Sequence, residues 1–119
     1  MGAMIAGLLQ VFSGRIPDAE SNARVLELAR IPERWSAGHR LFDEVRARLL
    51  IAEKASNHRQ AAQYYFEESC LQAIYNATDP RDPFDPSSAF FVVVQAIGLG
   101  REIGIADAVI AALFARYSW

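Results

Sequence analysis

Apolar residues recur along most of this chain at intervals of three and four, the spacing that lines one face of a helix. Between Ser36 and Ala55 they fall at Leu41, Phe42, Val45, Leu49 and Ala52. The opposite side carries Arg40, Glu44 and Arg48 at steps of four, the pattern of a solvated face. A second stripe, Ala62, Tyr65, Phe66, Ser69, Ala73 and Ala77, predicts a helix over about 58–76. Asn57 and Gln60 have the form of its capping pair.

Helix signals punctuate the rest. Pro17 suits a first helical position, Asp18 and Glu20 fit a first turn, and Ile31-Pro32 is a stop, so 17–30 is expected to be helical. The stretch from Asp79 to Pro86 contains three prolines and cannot continue the preceding helix, which makes it a loop. Asp85 can cap and Pro86 can open the next helix.

The run Phe90-Phe91-Val92-Val93-Val94 is ambiguous, because aromatic and β-branched residues also describe a buried strand. The Asp-Pro start upstream, and the lack of other strand-like segments to pair with, favour a helix. Its apolar girdle predicts that the helix at about 86–103 is central, ending at Gly104. A last helix reaches about Tyr117. The expected fold is therefore all-α: a single domain over 1–119, a compact bundle of four or five helices, up-and-down or orthogonal. The apolar segment 1–16 is expected to pack on the core, and Met1-Gly2-Ala3 is compatible with a cloning remnant ahead of Met4.

Composition narrows the function classes. With 52% hydrophobic and 22% charged residues, the 119-residue chain is too apolar to be disordered. A net charge of −2 provides no positive field for nucleic acid, and the predicted third helix carries Glu67 and Glu68 where a recognition helix would be basic. Met1 to Phe12 has no basic residue before it and is interrupted by Gly7 and Gln10, so it resembles neither a secretory signal nor a membrane span. Cys70 is the only cysteine, which excludes an intrachain disulfide and makes the cytoplasm the default compartment.

Candidate chemistry is sparse. Glu67 and Cys70 are three apart, but a metal needs more ligands, and His39 and His58 form no Glu-x-x-His pair, so no metal or cofactor is expected. His39 and Asp43 read as a surface pair. Gly98-Leu99-Gly100-Arg101-Glu102-Ile103-Gly104 departs from the dinucleotide fingerprint by one residue and lacks its strand. Gly98 and Gly100 instead suggest close packing or a bend, since each costs a helix about 1 kcal/mol. Asp79, Asp82 and Asp85 lack the glycine and glutamate of a calcium loop; with Arg81 and Phe84 they read as a proline-stiffened recognition loop.

No convergent catalytic set emerges, and the reading leans away from an enzyme. The leading expectation is a bacterial-type interaction protein, of the adaptor, antitoxin or toxin-neutralising kind, with Asp79, Arg81, Asp82, Phe84 and Asp85 at the contact. It predicts an exposed apolar or aromatic patch near the acidic loop or the apolar N-terminal segment. The alternative is a small-molecule or metal-binding bundle, perhaps an enzyme, with a cavity near Tyr65, Glu67, Glu68, Cys70 and Gly98. Self-association, with a homodimer as its simplest form, is the third expectation.

Overall fold

The computed structural model describes residues 2–77 and 86–117. They form a compact all-α bundle with six α-helices and no strand among the described residues. The helices are α1 (Gly2–Phe12), α2 (Ala19–Arg30), α3 (Gly38–Lys54), α4 (His58–Asn76), α5 (Pro86–Ile103) and α6 (Asp107–Tyr117). A 3-10 segment, Pro32–Ala37, joins α2 to α3. It takes up the stretch from Ser36 that the spacing had given to α3.

Local chemistry explains the boundaries. Asn57 caps α4 by accepting from the Gln60 N–H at 3.2 Å. α2 starts two residues later than Pro17 suggested, because Asp18 acts as its cap and accepts from the Ser21 N–H at 3.1 Å. α3 ends with Ser56 at φ +55°, and the Asn57 N–H reaches back to the Ala52 carbonyl at 2.9 Å. α5 ends the same way: Gly104 at φ +83° lets the Ile105 N–H bond the Gly100 carbonyl at 2.8 Å.

The Phe90 to Val94 run is helical, yet α5 is not the central helix. Phe90, Phe91 and Val94 are 70%, 52% and 43% exposed. The centre is α4, which packs along both α3 and α5 and also meets α2. It buries Gln63, Tyr64, Phe66, Glu67, Glu68, Ser69, Cys70, Leu71, Ala73 and Ile74. Because α4 is enclosed around most of its circumference, its polar and apolar residues do not separate into two faces.

α1 inserts Met4, Ile5, Leu8, Leu9 and Phe12 fully into the core, where Phe12 meets the edge of Phe66 at 5.0 Å between ring centres. The apolar N-terminal segment is therefore core. Of the two glycines in α5, Gly100 is fixed by packing: a Cβ there would lie 2.8 Å from Ile110 Cδ1 and 3.1 Å from the Ile105 carbonyl oxygen. Gly98 faces open space, with nothing within 4 Å of an added Cβ.

Candidate functional site

Three features carry concentrated polar or exposed apolar chemistry. The first is a buried network where the start of α2 meets α4. The Gln63 side chain accepts from the Asp18 backbone N–H at 3.0 Å and donates to the Asp18 carbonyl at 2.7 Å. Its amide also donates to Glu67 Oε2 at 2.8 Å. Ser21 Oγ donates to Glu67 Oε1, and Arg48 donates to that Ser21 hydroxyl at 3.4 Å. Tyr64 completes the cluster by donating to Asp18 Oδ2 at 2.6 Å.

Glu67 is fully buried. Burial pushes its carboxyl up to about 7, while the hydrogen bonds from Gln63 and Ser21 pull the other way. A carboxyl poised near neutrality is the usual profile of a general acid or base. Here, however, both oxygens are occupied by protein donors and the side chain has no exposed surface, so no substrate can reach it. The network is a clamp that holds the α2 cap against α4.

The second feature is an open groove of about 710 Å³ between α2, the 3-10 segment and α3. Leu28, Ile31 and Leu41 contribute apolar surface, and Arg24, Glu27, Arg34, Arg40, Asp43 and Glu44 are among its charged residues. Arg24 pairs with Glu44 at 2.6 Å, and Arg34 approaches Glu27 at 3.9 Å. Charges of both signs alternate around it, so the groove has no net preference for an anion or a cation. His39, also on its rim, lies stacked on Tyr75 at 4.9 Å between ring centres.

The third feature is the outer face of α3, α4 and α5. Arg46 Nε pairs with the nearly buried Glu68 at 2.7 Å and lies over the Phe42 ring. Tyr65 donates to Glu53. Two shallow hollows flank Gln72, one shared with Phe42 and Tyr75 and the other with Ser87, Ser88 and Phe91, so the face is continuous from α3 to α5. Along α5 the exposed positions Ser87, Phe90, Phe91, Val94, Gly98, Arg101 and Glu102 form a single strip.

The residues singled out from the sequence are dispersed. Asp79, Arg81, Asp82, Phe84 and Asp85 lie outside the described residues. Tyr65, Glu67, Glu68, Cys70 and Gly98 do not converge: Tyr65 and Glu68 turn to α3, Glu67 turns to α2, Cys70 is sealed in the core, and Gly98 faces out from α5. Burial, reinforced by the Glu67 charge, pushes the Cys70 thiol well up, which opposes a nucleophilic role. Among the described residues no three His, Cys, Asp or Glu side chains are grouped to hold a metal ion, and no helix is long and apolar enough to cross a membrane.

Sequence reasoning missed Asp18, Ser21 and Gln63 as one cluster. The available signal was weak: Gln63 and Glu67 are one helical turn apart in α4, but their partners lie some 45 residues away. No protein-family model, curated protein or solved structure matches the chain.

Proposed function

We propose that this chain works through protein–protein contact, with the outer face of α5 as its docking surface. The observation that carries this reading is the exposure of Phe90 at 70% and Phe91 at 52%, beside Val94 at 43%, on one strip of one helix. Scattered exposed apolar residues are ordinary, but adjoining phenylalanines are aggregation-prone when left uncovered and are the residue type that anchors interfaces. The strip starts at the first turns of α5, next in sequence to the acidic segment 79–85. The buried clamp around Glu67 offers no access to a substrate, which favours contact over catalysis.

The test is a photo-crosslinking amino acid placed at Phe91 in the cell that makes the protein, with Gln10, exposed on α1, as the control position. One discrete polypeptide adduct at Phe91 and none at Gln10 is expected. No adduct at Phe91, or the same adducts at both positions, overturns the reading.

A further inference from the structure

We propose that the partner on this face is a second copy of the same chain, docked antiparallel through α5 about a two-fold axis at Val94; this rests on the contact reading above. The inference starts from Gly98. Glycine inside a helix costs about 1 kcal/mol relative to alanine, and among the described residues of one subunit nothing explains it, because an added Cβ meets none of them within 4 Å. Gly100, two residues on, shows what an internal reason looks like, with Ile110 and Ile105 closed over it.

Gly98 lies one helical turn beyond Val94, and Phe90 lies one turn before it, all three on the exposed strip. The row therefore runs large, medium, absent. A two-fold axis at Val94 turns that row end for end, so Phe90 of each subunit comes level with Gly98 of the other. At a crossing angle that lays the two rows face to face, each phenyl ring is seated on the surface the missing Cβ leaves open. A row with a large side chain at both ends could not close in this way, and neither could one with glycine at both ends.

Electrostatics agrees with the arrangement. The antiparallel pair opposes its helix dipoles, and exposed Glu102 comes level with the first turn of the partner's α5, the positive end of that dipole. Arg101, on the same strip, is already neutralised by Asp107 at 2.7 Å. Taking about 200 Å² for a whole phenylalanine, the two rings leave roughly 240 Å² uncovered, and Val94 adds to that. A standard interface takes about 800 Å² from each partner, with an apolar centre inside a polar rim. The strip supplies the apolar centre, well under half of that area, and the polar surface that borders it, Gln72 beside Phe91 included, makes up the rim.

The geometry makes a register-specific test possible. At an interaxial distance of about 9–10 Å and a Cα radius of about 2.3 Å, residues on the two-fold axis have Cα atoms about 4.4–5.4 Å apart, within disulfide reach. Gly98 and its symmetry mate are about 12 Å apart along the axis, beyond reach. Under mild oxidation of the full chain, Val94→Cys is expected to form a covalent dimer. Gly98→Cys alone is expected to form none, and mixing Phe90→Cys with Gly98→Cys should give the heterodisulfide. Cys70 is buried and does not compete.

Sedimentation velocity supplies the second arm. The unmodified chain is expected to be dimeric at micromolar concentration, and Gly98→Leu should weaken the dimer at least tenfold while leaving the circular dichroism of the fold intact. A chain that sediments as a monomer at every concentration, or equal oxidation of Val94→Cys and Gly98→Cys, overturns the second-copy proposal. If the Phe91 crosslink then joins a different polypeptide, the contact reading survives without the self-contact. If no crosslink forms, both fall.

Discussion

Replacing Glu67 with glutamine should change how stability depends on pH, by an amount the structure sets. The carboxyl has no exposed surface, and burial raises it from the ordinary value of 4.5 to about 7. In the unfolded chain it titrates near the ordinary value, so the folded state holds the proton more tightly. The contribution of the protonated form is fully present below the unfolded value and is lost as pH rises from there through about 7. At about 1.4 kcal/mol for each pKa unit, the loss amounts to about 3 kcal/mol.

Glutamine carries no charge, and the Ser21 hydroxyl can accept from its amide while its carbonyl accepts from Gln63, so the clamp stays bonded. The stability of Glu67→Gln minus that of the parent should therefore climb by about 3 kcal/mol between about pH 4.5 and about pH 8. Urea unfolding followed by circular dichroism across that interval measures the difference, and the subtraction removes the titration of every other group. A difference that stays flat with pH, or that falls, refutes the reasoning that burial dominates at Glu67.

Further expectations follow from other residues. Ser56 holds a left-handed conformation at φ +55°, so Ser56→Gly should stabilise by about 1 kcal/mol and raise Tm by roughly 4 °C, whereas Ser56→Val should lower it. Asp18→Ala removes both the α2 cap and the acceptor for Tyr64, and should cost about 2 kcal/mol in urea unfolding. A loss below a few tenths would mean that the clamp carries no stability. Gly100→Ala should destabilise, because its Cβ would lie 2.8 Å from Ile110 Cδ1, while Gly98→Ala, measured in the dilute monomer, should stabilise. Iodoacetamide should modify Cys70 only at the rate of global unfolding, since the thiol is fully buried and its ionisation suppressed; fast labelling under native conditions would contradict that.

Features set by neighbouring residues were legible in the sequence, whereas features set across the fold were not. The α4 boundaries follow from Asn57 and its local hydrogen bond to Gln60, and the start of α5 follows from Pro86. The helical state of Phe90 to Val94 could be argued because no other segment could pair with a strand. Position in the bundle could not be read in the same way. The most apolar internal run, in α5, suggested the central helix, yet two adjoining phenylalanines of it lie outside, while Gln63 and Glu67 of α4 lie inside.

That inversion has a physical cause. Gln63 and Glu67 can be buried only because Asp18 and Ser21, on another helix, satisfy their polar atoms, and such pairings leave no periodic trace. Tyr65, expected on the inner stripe, instead points to Glu53 on the outer face. The apolar start of the chain was legible as core, and the exposed strip on α5 emerged only once α1 and α4 had filled the interior.

The most direct check on the contact account is hydroxyl-radical footprinting of Phe90 and Phe91, with Ile51, 69% exposed on α3, as internal reference. In the purified chain diluted until it is monomeric, both phenylalanines should oxidise readily, as their exposure dictates. In the intact cell they should be protected several-fold relative to Ile51. Equal oxidation in both settings would mean that nothing covers the strip, and the account of this protein as one that acts through α5 would be contradicted.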